Sequence, residues 1–529
     1  MVSSGQHYSY DEVPYPDLSY VQTHPSRLAM LGILLGMNPA PVEQCRVLEI
    51  GSAAGGNLLP MAAVLPNSTF VGIDLSIVQI EQAQAAVEAV GMINIRFQQM
   101  DILNITPEFG QFDYIIAHGI YSWVPPVVQD KLLEVCQQNL APQGIAYISY
   151  NTYPGWHRMD IIRNMMLYRT RNAATPAEKV TQATQWVSFM ADALKGQPES
   201  AYAAVFEDYV SFRLAQTEGI DHTALIHDEL EANNTPVYFH QFIERAEQHG
   251  LQYLVESDFS TVMPNGLSDE VREYLSQIAH SAVEMEQYFD FLRERMFRRT
   301  LLCHAEIEVD RRLSIQPLSQ FYVSSAAHTV KPDADQEAKG IEIFEGADGI
   351  AFKTYHLLTK AAFNYLIDVR PLRIPFDRLV REAASRLNMT HITDQEVAGL
   401  AGNLLRAFAH SLDLVEFHSF APQMTTTVSE RPITTAFARY QVRQRSHIGT
   451  LVHGRASLDN FSRLILAQLD GQNDRAALLA FLVDLAQQGK ISLPTAEQVP
   501  KTPDELRSAL AVELDRTLDN LAHLALLVA

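Results

Sequence analysis

The chain has 529 residues, 47% of them hydrophobic and 19% charged, a balance that builds sizeable cores and excludes disorder as the default. At roughly 100 to 200 residues per domain it divides into about three. A formal charge of -22 with no long Lys/Arg run argues against DNA or RNA as a partner, and no apolar run is long enough to span a bilayer, so a cytoplasmic protein without a membrane span is expected.

Residues 1–38 are rich in aromatics and proline: Tyr8, Tyr10, Tyr15, Tyr20, Thr23 and His24 suit a lid over a bound ligand, and equally packing on a sheet edge. From 39 to 155, short apolar runs at 46–50, 69–74, 93–98, 112–118 and 145–150 alternate with helical stretches at 56–64, 76–90 and 127–140. This alternation predicts a doubly wound α/β fold, whose ligands sit at the carboxyl ends of parallel strands. Between 156 and 310 the spacing turns helical: Trp186, Phe189, Met190, Ala193 and Leu194 recur in steps of three and four, as do Phe239, Phe242, Ile243 and Ala246. A mainly α middle domain is expected there.

The polar, acidic stretch 330–349 reads as a hairpin or linker. Within 311–529, amphipathic runs at 354–366, 376–387, 394–412 and 458–469 and a short strand at 414–418 predict a mainly helical end, compatible with winged-helix-like units. Cys45, Cys136 and Cys303 are too scattered for a disulfide framework or zinc cluster. His227, Asp228, Glu231, His240 and His249 lack metal-ligand spacing, so no metal is expected. Arg293, Arg295, Arg298 and Arg299 read as a solvated helix face with local acidic partners, or as a face for an acidic substrate or second subunit.

The first strand runs into VLEIGSAAGGN at 47–57. Small residues there let the backbone pass close to a ligand before a helix starts. The turn alone also admits a dinucleotide, because Gly51 to Gly56 fits a relaxed fingerprint and Asp74 follows about twenty residues on. Glu49, Asp74 and Asp101 together decide for a different cofactor, since a carboxylate such as Glu49 would be poorly placed beside a pyrophosphate. S-adenosylmethionine (SAM) carries an ammonium and a sulfonium, and carboxylates suit both. Asp74 is then placed to hold the ribose hydroxyls and Asp101 the adenine amino group. The expected cofactor contacts are Glu49, Gly51, Ser52, Ala53, Gly55 and Asn57 in the turn, with Asp74, Leu75 and Ser76 after the second strand. Asp101 and Ile102 follow the third strand, and His118 the fourth.

Several words carry a resemblance: YDEVPYP at 10–16, QTHPSRLA at 22–29, IIAHGIYSWVP at 115–125, YNTYPGWHRMD at 150–160, TPVYFHQFIERAEQHGLQYLVE at 235–256 and RERMFRRTLLCH at 293–304. With them the chain resembles bacterial class I methyltransferases followed by a methyltransferase regulatory domain, a group that includes rickettsial protein-lysine methyltransferases. The resemblance is dense to about residue 304 and weak beyond. It implies a Rossmann-like, mostly parallel seven-stranded sheet, SAM as cofactor, a protein lysine as acceptor, and a homodimer as one possible assembly.

Methyl transfer to an amine needs an unprotonated nitrogen held in line in a dry pocket. His118, Tyr121 and Trp123 after the fourth strand, and Tyr153 after the fifth, are the candidate acceptor-side residues. Packing against helix 127–140 for the first group and a hinge for the second are the competing readings. Methylation of a small metabolite, or SAM binding without turnover, are the alternative functions.

Overall fold

The computed structural model describes residues 17–196, 200–214, 225, 227, 229–231, 233–491 and 502–529. Tyr8, Tyr10, Tyr15 and Asp228 lie outside the described residues. The apolar runs of the first third form β1 (Arg46–Ile50), β2 (Thr69–Asp74), β3 (Ile95–Gln99), β4 (Phe112–Ala117) and β5 (Leu140–Asn151). These strands are mutually parallel and are joined by helices Leu58–Val64, Ile77–Val90 and Pro126–Asn139. Successive side chains point to opposite faces of the sheet. Val47, Tyr114, Ile116 and Tyr147 therefore enter one core, and Leu48, Ile50, Ile115 and Ile148 the other. Burial on both faces is why β2, β4 and the second half of β5 read as apolar runs, whereas the edge strand β3 alternates buried Ile95 and Phe97 with exposed Arg96 and Gln98. Ile93, expected in β3, is 99% exposed and precedes the strand.

The sheet does not end where the alternation does. Two strands from the segment expected to be helical, β6 (Leu251–Glu256) and β7 (Phe297–His304), complete it in the order β3-β2-β1-β4-β5-β7-β6. β7 is antiparallel to both of its neighbours. Upstream of β6 the helical reading holds: Trp156–Thr170 and Pro176–Leu194 form a separate cluster around Trp156, Ile162 and Val187. The buried stripe of the second helix is Val180, Ala183 and Val187, whereas Phe189 stands exposed and stacks on Trp186.

The arginines of 293–299 correct another expectation. Arg298 lies in β7, is 1% exposed, and pairs with Glu256 at 2.7 Å, Glu286 at 3.1 Å and Asp290 at 2.8 Å. Its partners are local and acidic as expected, but the site is interior, where only such pairing holds a charge.

Beyond residue 310, β8 (Tyr322–Ser324) pairs with β12 (Ile374–Pro375) and β13 (Glu416–His418). The stretch read as hairpin or linker contains β9 (His328–Val330), a short helix and β10 (Glu342–Glu345), which joins β9 to β11 (Ala351–Thr354) in an antiparallel sheet. Helices Leu357–Asp368, Phe376–Arg386 and Asp394–His410 share one core with a face of the large sheet. The last unit has its own core. It combines helices Ala436–Gln444, Asn460–Leu466, Arg475–Gln487 and Pro503–His523 with a hairpin of β14 (His447–Gly449) and β15 (Arg455–Ser457). Among the described residues no helix is long and apolar enough to cross a membrane.

Candidate active site

At the carboxyl end of β1 the chain turns sharply, and the Gly51 and Ser52 N–H groups both donate to the Ile73 carbonyl, at 2.8 and 3.0 Å. Gly51 has φ +74°, and a Cβ there would come 2.2 Å from the tip of Ile120. Gly56 is needed for closeness: a Cβ would sit 2.1 Å from Asp17 Oδ1 and 2.6 Å from the Asp17 carbonyl carbon. The lead segment thus lies directly on the turn, with Asp17 at Gly56 and Tyr20 and Thr23 at Asn57.

Asp74 spans the turn and the following helix. Its Oδ2 accepts from the Ala53 N–H and its Oδ1 from the Ser76 N–H, each at 2.9 Å. Ser76 is buried and caps helix Ile77–Val90 by accepting from Gln79 N, so its hydroxyl serves the helix. Leu75 is exposed at the rim. Asp101 caps the turn Ile102–Asn104, accepting from Leu103 N at 3.0 Å. Ile102, expected to touch the cofactor, is 7% exposed and belongs to the hydrophobic core beneath the sheet.

Glu49 stands under the turn. Asn57 Nδ2 donates to its Oε1 at 2.6 Å and also to Thr23 Oγ1 at 2.9 Å, while Asn57 Oδ1 accepts from Tyr20 N at 3.0 Å. Glu49 Oε2, Asp17 Oδ1 and Ser52 Oγ are buried and make no hydrogen bond. Burial pushes the Glu49 carboxyl up to about 8, and the neighbouring charges of Asp17 and Asp74 act in the same direction, against the Asn57 hydrogen bond. Two orphaned carboxylate oxygens beside a glycine turn fit the ammonium of SAM, which brings three N–H donors and the opposite charge.

Past β4, His118 is in ring contact with Tyr20 at 4.0 Å, and its Nδ1 lies 2.9 Å from the Tyr147 hydroxyl and 3.3 Å from Ser149 Oγ. Burial, then the guanidinium charges of Arg299 and Arg455, lower its pKa to about 3. His118 is therefore a neutral contact group and a poor general base. Tyr121, expected on the acceptor side, is instead fully buried and packs against the stacked pair Tyr150 and Phe242 in the hydrophobic core, with its hydroxyl unpartnered. Trp123 is half-buried and meets Trp156 edge-on at 6.5 Å. Tyr153 stacks on His157 at 4.0 Å, lies beside Tyr238, and donates to Asp160 at 3.2 Å. The loop holding Tyr153 is sewn to the segment just before β7 by Thr152 N to Met296 O and Gly155 N to Arg295 O.

Sequence reasoning missed Asp17, Tyr147, Ser149 and three residues of the C-terminal unit, Arg445, His453 and Arg455. His453 Nε2 lies 2.9 Å from Asn57 Oδ1, and Arg445 pairs with Asp17 at 2.7 Å. No local pattern marks residues that reach the site from about 400 positions away.

Comparison with known proteins agrees with this geometry. Residues 47–144 match a family model described as a methyltransferase domain, 221–304 a predicted methyltransferase regulatory domain, and 430–526 the C-terminal winged helix domain of PKMT. Uncharacterized protein RP789 of Rickettsia prowazekii is 34% identical over 99% of this chain and 94% of its own length. RP028 of the same organism is 39% identical over 48% of this chain and 100% of its own. The structure of PKMT2 from Rickettsia typhi in complex with AdoHcy is similar across 98% of this chain and 100% of that one, with a TM-score of 0.85 and 28% identity. With a SAM-shaped turn, a seven-stranded class I sheet and whole-length relatives, the chain belongs to the SAM-dependent methyltransferases that carry a methyltransferase regulatory domain and a PKMT-type winged helix.

Proposed function

We propose that the chain methylates the side-chain nitrogen of lysine in a protein acceptor. The observation that carries this reading is the surround of His118. Two guanidiniums, Arg299 and Arg455, act on it electrostatically, Tyr20 and Phe297 face it, and Phe297 itself is 36% exposed. Exposed Met296 and Phe291, with Tyr238, His157 and Tyr153 nearby, continue this aromatic surface outward.

A lysine reaches such a site protonated, with a reference pKa of about 10.4. Burial and two nearby cations both disfavour the charged amine, so the proton is shed to solvent as the side chain enters. The guanidinium of Arg299 suits this role because its Nε is buried without a hydrogen-bond partner. Aromatic faces hold the amine and its methylated cation. His118, kept neutral, orients without taking the proton. SAM supplies an electrophilic methyl on a sulfonium, open to direct displacement by nitrogen without a metal; Glu49 and Asp17 hold its ammonium and Asp74 its ribose. The whole-length similarity to PKMT2 supports a macromolecular acceptor.

Incubation of the purified chain with methyl-labelled SAM and a bacterial lysate, followed by mass spectrometry, tests the proposal. Label on lysine Nζ of proteins is expected. Label confined to small amines would favour a metabolite methyltransferase, and SAM binding without transfer would favour a regulatory module.

A further inference from the structure

The hairpin of the C-terminal unit ends on the cofactor turn. Helix Ala436–Gln444 packs on Leu58–Val64 and Ile77–Val90, and from there β14 and β15 reach across the lead segment. Arg445 holds both the carboxylate and the carbonyl of Asp17, at 2.7 and 2.9 Å. Arg455 Nε donates to Ser19 O at 2.8 Å and its guanidinium lies 5.1 Å from the Tyr20 ring, while Ser19 Oγ donates to Gly454 O at 3.2 Å. Every described residue from Asp17 to Tyr20 except Leu18 is thereby tied to this hairpin.

At its tip sits His453. The ring is 3% exposed, the backbone takes φ +65°, and Nδ1 is buried without a partner. A left-handed conformation is disfavoured for any residue with a Cβ, and Gly454 stands next in the chain, so the turn does not require a histidine at this place. The hydrogen-bond network says what the ring supplies. Asn57 uses Nδ2 as donor to Glu49 and Thr23, so its Oδ1 is an acceptor, and His453 must present Nε2–H to it. That tautomer leaves Nδ1 bare, as found. Reversing the Asn57 amide would set its oxygen against the Glu49 carboxylate, and the His453 donor is one of the groups that prevents it.

We propose that the hairpin of the C-terminal unit is a working part of the cofactor site: His453, a positioning residue, locks Asn57 and through it Glu49, while Arg445 holds Asp17, so that both carboxylates face the cofactor ammonium. The winged-helix unit then acts in cis as a clamp on SAM, independently of what the acceptor is.

The test uses the full chain and calorimetric binding of SAM, with thermal stability and acceptor KM measured beside it. His453→Met is expected to raise the SAM Kd about tenfold or more, the loss of one hydrogen bond to a site that holds charge, with acceptor KM unchanged. His453→Gln, which returns an N–H donor at similar reach, should recover most of that loss. A Kd unchanged in His453→Met, or equal losses in the Met and Gln variants, would overturn the proposal. Should His453→Met fail to fold, Arg445→Gln reads the same clamp from a half-buried position: a severalfold weaker Kd is expected, and an unchanged one refutes it.

Discussion

Replacing Glu49 with Gln separates the cost of a buried carboxylate from its use. In the cofactor-free fold the carboxyl titrates near 8 instead of its ordinary 4.5, chiefly through burial. The folded state therefore holds a proton that the unfolded state has released over that interval, and stability is fully present below about pH 4.5 and declines as pH rises toward 8. At roughly 1.4 kcal/mol for each tenfold difference in proton affinity, the decline attributable to this group is about 5 kcal/mol. Gln keeps the acceptor used by Asn57 and carries no charge to bury. Denaturant titration of the ligand-free protein should show the variant matching wild type at pH 4.5 and exceeding it by several kcal/mol at pH 8.5. SAM binding should move the opposite way, because the ammonium loses a charged partner worth about 1.5 to 3 kcal/mol, or about 10- to 150-fold in Kd. Calorimetry in buffers of different ionisation enthalpy adds a third reading: wild type should release close to one proton on binding SAM at pH 7, and the variant none. A Glu49→Gln protein that is no more stable at pH 8.5, or that binds SAM as tightly as wild type, would refute the reasoning.

Asp74→Ala removes the acceptor shared by the Ala53 and Ser76 N–H groups; SAM affinity should fall by about 1 to 3 kcal/mol, and an unchanged Kd would take Asp74 out of the site. Trp123→Ala should spare SAM binding and depress transfer, whereas Tyr121→Phe, which deletes a buried, unpartnered hydroxyl, should leave transfer intact and stability equal or up to about 1 kcal/mol higher; the opposite ranking of the two in a transfer assay would put Tyr121 back in the pocket. Arg299→Met removes one of the charges that discharge an incoming lysine, so the acidic limb of the kcat profile, which reports the bound amine, should move to higher pH by about one unit, and an unmoved limb would sever Arg299 from acceptor activation. Arg298→Met strands three buried carboxylates and should cost about 3 to 5 kcal/mol in a denaturant midpoint; a loss below 1 kcal/mol would mean they protonate or hydrate freely.

Four of the first five strands, β1, β2, β4 and β5, were legible because each is buried on both faces and reads as a compact apolar run, with β1 and β2 bounded to the residue, whereas the edge strand β3 alternates buried and exposed. The cofactor turn was legible for a related reason: strand, glycine turn, helix and the spaced carboxylates Glu49, Asp74 and Asp101 are all local in sequence. β6 and β7 were hidden by their neighbours, since Leu251–Glu256 directly follows a strongly periodic helix and Phe297–His304 holds three polar residues among its first four. Arg298 reads as surface until pairing of β6 with β7 brings Glu256 to it and helix Ala282–Arg293 brings Glu286 and Asp290. Tyr121 misled because position after a strand end does not say which side of the sheet a side chain enters. His453, Arg445 and Arg455 could not be read from any window, because their meaning depends on a contact made across nearly the whole chain.

The order in which the sheet is completed matters during synthesis. β5, twelve residues long, is the edge of the sheet until β7 pairs with it, and β7 leaves the ribosome about 150 residues later. Throughout that interval the nascent chain carries an open edge flanked by buried-type side chains, the form of surface most prone to pairing with another chain. Expression fragments that stop at residue 155 inherit the same open edge and should aggregate; those that extend past residue 304 close the sheet.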